Sequence, residues 1–150
     1  MDVQKIVFLC TGNSCRSQMA EGWARHLLDG IVEAASAGVL KHGIDPRAIQ
    51  VMDEAGVDIS GQLSKTIDEL PSHHFDAVIT LCDHANESCP LLPGQFTRLH
   101  QGFDDPPALA RTTPDESSAL QEYRRVRDEI RSFVSTLPDR LRKSASGDAG

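Results

Sequence analysis

The period of apolar positions changes several times along the chain, and each change marks an element. Lys5-Ile6-Val7-Phe8-Leu9 is a short β-branched and apolar run, the pattern of a buried strand. It gives way at Cys10 to a small, polar stretch, after which Met19, Ala20, Trp23, Ala24, Leu27 and Leu28 recur on one helical face, with Gly30 as a stop. A second strand is expected over Ile31–Ala37. Asp45-Pro46 then opens a helix, with Asp as cap, Pro in the first turn, Ile49 and Met52 inward and Gly56 past the end. Ala77-Val78-Ile79-Thr80-Leu81 is the clearest strand after the first, and Phe96–His100 a further short one. Thr113-Pro114-Asp115-Glu116 reads as a capping box for a last helix, whose buried stripe is Leu120, Tyr123, Val126, Ile130, Phe133 and Leu137.

Strands alternating with helices predict an α/β fold, a three-layer sandwich around a mostly parallel four-stranded sheet. One domain is expected over residues 1–141. Residues 142–150 are small and polar and read as a flexible tail. Such sheets bind ligands at the carboxyl ends of their strands. Cys10 closes the first strand and Cys82 the Ala77–Leu81 strand, so the chemistry is expected on one edge.

Charge narrows the partners. The chain has 150 residues and a formal net charge of −7, which argues against nucleic acid. No apolar run approaches the roughly 20 residues that span a bilayer, and no basic-then-apolar leader stands at the start, so a cytoplasmic protein is expected. In that compartment four cysteines are reactive, metal-binding or buried thiols rather than a structural disulfide framework. A monomer is the plain expectation.

The stretch Cys10-Thr11-Gly12-Asn13-Ser14-Cys15-Arg16-Ser17 is weak as a bare Cys-x5-Arg pattern. Its context sharpens it. A strand ends at the cysteine, the loop is small-sided around Gly12, and a helix starts near Arg16. Successive N–H groups can then converge on one point as an anion nest at a helix N-terminus, and the same field favours a thiolate. Arg16 adds a planar fork suited to a tetrahedral oxyanion. Ser17 can donate to the thiolate and Asn13 can pin the loop. Attack on a phosphate-like centre also needs an acid for the departing oxygen. Asp104 and Asp105 precede Pro106-Pro107, and Pro106 restricts Asp105 to an extended backbone that helps aim its carboxylate.

With Thr80-Leu81-Cys82, Cys89-Pro90 and Gly102-Phe103-Asp104-Asp105-Pro106, this loop and its continuation to Glu21 resemble the low-molecular-weight protein tyrosine phosphatases. Within that family the likeness is to the thioredoxin-coupled arsenate reductases, from about Lys5 to Leu137. The resemblance implies that Cys10 attacks arsenate, that residues Thr11 to Ser17 hold the oxyanion (phosphate or sulfate competing), and that Asp105 protonates the leaving oxygen. It further implies a Cys10–Cys82 disulfide, then a Cys82–Cys89 disulfide that thioredoxin reduces, with no tightly bound cofactor. Cys82 and Cys89 are seven positions apart, about 10 Å along a rigid helix, whereas a disulfide needs Cα atoms within roughly 7 Å. If they pair, the segment between them loops or unwinds.

Reduction of As(V) consumes two electrons, which a dithiol supplies and a phosphatase has no use for. A tyrosine phosphatase is the alternative, but its acid is typically followed by Pro-Tyr, whereas Pro106-Pro107-Ala108 follows here and the single tyrosine, Tyr123, lies in a buried stripe. A non-enzymatic thiol sensor would need neither Arg16 nor Asp105. Cys82, His84 and Cys89 make no compact four-ligand zinc set, so no metal is expected there. Cys15 is expected to pack, and His26, His42, His73, His74 and His100 to be surface or satisfied residues. Some relatives carry potassium on Asn, Glu, Ser and Asp side chains. Asn13, Glu21 and Ser36 match, but Lys65 stands at the fourth position, which makes potassium doubtful and suggests that the Lys65 ammonium itself holds Glu21 and Asn13.

Overall fold

The computed structural model describes residues 3–71, 74–81 and 96–148, with side chains as far as Arg142. Strands β1 (Gln4–Cys10), β2 (Val32–Gly38), β3 (Ala77–Thr80) and β4 (Thr97–His100) form one sheet in the order β2-β1-β3-β4, every pair parallel. The α/β class and the parallel sheet are those expected. Residues Ile6 to Leu9 are wholly buried, which a parallel strand covered on both faces requires.

The helices are α1 (Arg16–Leu27), α2 (Pro46–Glu54), α3 (Pro106–Ala110), α4 (Glu116–Ser135) and α5 (Leu137–Asp148). Ile6, Phe8 and Ile79 share one core with Met19 and Trp23 of α1, Met52 of α2, Tyr123 and Ile130 of α4 and Leu137 of α5. Val7, Leu9 and Val78, pointing the other way, pack with Ala37 and Leu70, and with Ile67 in a 3-10 turn at Ile67–Glu69. Trp23 and Tyr123 are core residues, as their helical spacing predicted. Each keeps its polar tip satisfied: Trp23 Nε1 donates to the Arg127 carbonyl at 3.1 Å and the Tyr123 hydroxyl to Asp45 at 2.5 Å.

Two local expectations are corrected. The cap of α4 is Asp115, which accepts from the Ser118 N–H at 2.7 Å. Thr113 is not the cap, because its hydroxyl donates to the Ala110 carbonyl at the end of α3, and Glu116 pairs with Arg47 rather than closing a capping box. The last helix does not run through Leu137 but stops at Ser135, and Leu137 begins α5. Pro138 is the reason: it has no N–H for the preceding carbonyls and its ring crowds them, so it fits only a first turn. After Leu141 the backbone stays helical to Asp148. Leu141 is buried and anchors a helix already nucleated.

The topology fixes where a ligand can sit. From β1 the chain turns to β2 on one side and later to β3 on the other, so the loops after β1 and β3 part company at the middle of the sheet, a topological switch point. Cys10 pairs with Gly38 at the end of β2, and the Leu81 N–H donates to the Leu9 carbonyl at 2.9 Å.

Gly38 is tightly enclosed. A Cβ there would stand 2.7 Å from the Thr11 carbonyl oxygen and 2.8 Å from the Asn13 nitrogen. Both are backbone atoms of the loop after β1, so neither can swing away. Gly38→Ala is therefore expected to displace that loop, costing about 1–3 kcal/mol by overpacking and weakening oxyanion binding as well. Urea unfolding with phosphate titration checks this, and wild-type values for both would show that the loop yields freely.

Candidate active site

The loop after β1 is held from beneath by one side chain. Asn13 is wholly buried and lies in the left-handed region at φ 47°, the only non-glycine residue so placed among those described. Asparagine tolerates that conformation better than most side chains. Its amide donates to the Ser17 hydroxyl at 2.9 Å and the Ser36 hydroxyl at 3.0 Å. Its Oδ1 accepts from Gln18 Nε2 at 3.0 Å and from the Lys65 backbone N–H at 2.7 Å. Gln18 also donates to the Leu63 carbonyl and accepts from Gln62.

Cys10 and Ser17 face each other inside this frame, Sγ to Oγ 2.8 Å. Either group can be the donor in this pair. Cys15 occupies the N-cap position of α1 without a side-chain cap bond, so a helix N-terminus is presented to the loop with no acceptor of its own, where an anion is favoured. Cys10 and Cys15 are free thiols. Burial, with Asp45 adding repulsion, pushes the Cys15 thiol well above its ordinary range and keeps it protonated.

Arg16 is nearly buried and stitches three segments together. It donates to the Phe103 carbonyl at 3.1 Å and the Leu81 carbonyl at 3.5 Å, and lies 3.8 Å from the Asp105 carboxylate. The two adjacent acids are cleanly separated. Asp105 lines the pocket over Cys10, just before Pro106 and α3, whereas Asp104 pairs with Arg125 at 2.9 Å. The pocket, about 470 Å³, is lined by Cys10, Thr11, Gly12, Ser14, Cys15 and Arg16, by His42 to Pro46, and by Asp105, Pro107 and Arg111. Of the loop residues expected at the oxyanion, Asn13 and Ser17 stand behind the lining as supports. Cys82 and Cys89 lie outside the described residues, as do His73 and His84.

The expected role of Lys65 is corrected in part. Its ammonium lies 4.0 Å from Glu21 and donates to the Leu63 carbonyl, but it does not reach Asn13; the main-chain N–H of Lys65 does that instead. Glu21 also accepts from Ser36 at 2.6 Å and pairs with Arg25 at 2.7 Å. With two cations on Glu21 and two donors on the Asn13 oxygen, these residues do not fit a potassium ion. Among the described residues no group of three or more His, Cys, Asp or Glu could hold a metal, and no helix is long and apolar enough to cross a membrane.

Several wall residues carried no motif. His42 is an exposed residue, in keeping with the expected surface or satisfied role, but it also bears on the loop: its backbone N–H donates to the Gly12 carbonyl at 3.1 Å and its ring lies against the α-carbon of Gly12. Asp45 caps α2 as predicted, but it also bonds to the Ser14 carbonyl through its N–H and accepts the Tyr123 hydroxyl. Burial and that bond push the Tyr123 phenol well above its usual range, so it stays a donor. Gly38, Gln18 and Gln62 were likewise silent, since their roles arise from contacts distant in sequence.

Known proteins share this arrangement. An arsenate reductase of Halalkalibacterium halodurans is 48% identical over 139 residues, 93% of this chain and 98% of that protein. A solved arsenate reductase in a phosphate-binding state superposes with a TM-score of 0.76 at 33% identity, covering 93% of this chain and 99% of that one. A thioredoxin-dependent arsenate reductase of Corynebacterium glutamicum gives a TM-score of 0.66 at 26% identity, covering 95% of this chain and 63% of that one. Residues 5–146, nearly the whole chain, match the low molecular weight phosphotyrosine protein phosphatase family, and to that family this protein belongs.

Proposed function

We propose that the chain reduces arsenate to arsenite in the cytoplasm, as a monomer, with Cys10 as nucleophile and thioredoxin as the source of electrons. One observation carries the reading. Cys10 sits against Ser17 at the base of a pocket that Arg16 and Asp105 also line, while β3 runs out beside β1 and leads into Cys82. The relatives of similar length named arsenate reductase support the substrate, and the phosphate-bound one supports oxyanion binding in such a loop.

The steps follow from this chemistry. The Cys10 thiolate attacks arsenic, forming an S–As(V) bond, and the oxygen that leaves takes a proton from Asp105. The Cys82 thiolate then attacks the Cys10 sulfur. The electron pair of the S–As bond passes to arsenic, arsenite departs, and a Cys10–Cys82 disulfide remains. Cys89 attacks Cys82, returning Cys10 as thiolate and leaving a Cys82–Cys89 disulfide. A thioredoxin dithiol reduces that by exchange and is itself oxidised.

A tyrosine phosphatase would use the same loop and acid. Against it, no Phe, Tyr or Trp is among the described residues lining the pocket, so an aryl ring finds no aromatic wall among them. A thiol sensor would leave Arg16 and Asp105 unexplained.

The deciding assay is arsenite formation with thioredoxin, thioredoxin reductase and NADPH. Wild type should turn over repeatedly and Cys89→Ser should stall after about one turnover. Aryl phosphate hydrolysis without NADPH consumption would instead make the chain a phosphatase. Asp105→Asn should slow the first chemical step by about 10²–10⁴-fold, and Asp104→Asn should not; equal losses in both would remove Asp105 as the acid. The Cys15 thiol, held high by burial, stays neutral as pH rises through the usual thiol range. In a Cys10→Ser, Cys82→Ser, Cys89→Ser protein it should react with iodoacetamide at pH 8 about ten-fold or more slower than an exposed cysteine. A rate like that of an exposed thiol would make Cys15 a candidate member of the relay.

A further inference from the structure

The pocket is far larger than a tetrahedral oxyanion. It measures about 470 Å³, against a share of about 30 Å³ for one water molecule in the liquid. A tetrahedral oxyanion fills only its base, where Cys10, Cys15 and Arg16 are buried. The outer part is walled by exposed residues, and one of them carries a full positive charge. Arg111 is the C-cap of α3, one turn beyond Pro107 on the same short helix that Asp105 precedes, and it lines the pocket. Positions four apart share a helix face, so Pro107 and Arg111 border the opening together.

The charges around this opening make Arg111 matter. Asp45 and Asp105 line the pocket, and a Cys10 thiolate would add a third negative group. The arginine at the base, Arg16, is already engaged by the Phe103 and Leu81 carbonyls and by Asp105. Among the described residues the Arg111 guanidinium has no ion pair or hydrogen bond; only its backbone N–H is engaged, with the Pro107 carbonyl. A chain of net charge −7 otherwise repels an approaching oxyanion.

We propose that Arg111 is the mouth cation of this pocket, drawing tetrahedral oxyanions inward and raising their local concentration over the loop. It is a recruiting residue, not one that touches the reacting atoms. Its substrate as written rests on the arsenate reading above, but its task needs only a tetrahedral oxyanion.

Two measurements test it. In steady-state arsenate reduction, Arg111→Gln should raise KM about three- to ten-fold at low salt while kcat holds, and Arg111→Lys should restore most of the loss. The gap should close between about 0.01 M and about 1 M sodium chloride, as the screening length falls from roughly 30 Å to 3 Å. Arg142→Gln, an equal charge change outside the pocket lining, should leave KM as in wild type. The second measurement is protection of Cys10 from iodoacetamide by inorganic phosphate, which needs no turnover. Arg111→Gln should require about three- to ten-fold more phosphate for half protection at low salt. Equal KM and equal protection in wild type and Arg111→Gln would overturn the proposal, as would a loss in kcat alone or a failure of lysine to rescue. If arsenate is not reduced at all, the proposed activity fails, and the protection assay still decides Arg111.

Discussion

The buried side chain of Asn13 is the constraint on which the site depends. The loop after β1 is small-sided and lines an open pocket on one side, so its side-chain support comes from below. Asn13 provides that support with two donors and two acceptor contacts, reaching β2 through Ser36, α1 through Ser17 and Gln18, and the 62–66 segment through the Lys65 N–H. None of its polar capacity is wasted in the interior, where an unmade bond would cost about 1–3 kcal/mol. Its left-handed backbone is the local strain that this network over-determines.

Around that hub, charge is arranged by depth. At the bottom are a thiol–hydroxyl pair and an arginine tied to main-chain carbonyls; further out come two carboxylates. The second cysteine of the loop is kept neutral by burial and by Asp45. A neutral Cys15 adds no repulsion to an anion on the same helix terminus, so packing and electrostatics select the same protonation state. Glu21, nearly buried, is balanced by Arg25 and by the more distant Lys65. The support beneath the loop is thus an all-protein network in which a lysine main chain and an arginine side chain meet the needs of Asn13 and Glu21.

Much of this was legible in the sequence because it is local. The strand into Cys10, the small-sided loop, the Asp45-Pro46 start and the stripe through Tyr123 are each set by neighbours within a turn or two. What could not be read was non-local or depended on competition between neighbours. Thr113 looked like a cap until α3, itself only five residues long, claimed its hydroxyl. Pro138 was overlooked because Leu137 continues the apolar stripe, and periodicity does not register a missing N–H. His42, Gly38 and Gln62 acquire meaning only from partners in the loop and the first turn of α1, 25 to 44 positions away in the chain. Lys65 was correctly placed near Glu21, but its contact with Asn13 runs through the main chain, and no side-chain identity announces that.

The position of Arg16 bears on how substitution data for this fold should be interpreted. Its guanidinium is fastened to the ends of the segments leaving β3 and preceding α3, and the residue also lines the pocket over Cys10. Truncating it would not subtract one charge from an otherwise intact cavity. It would let go of two carbonyls, remove a cation 3.8 Å from the Asp105 carboxylate and loosen the geometry between them, all in one change. Rate losses at this position therefore sum several failures and cannot be partitioned among affinity, acid placement and scaffold. The residue works as a keystone, and a keystone is poorly measured by removal.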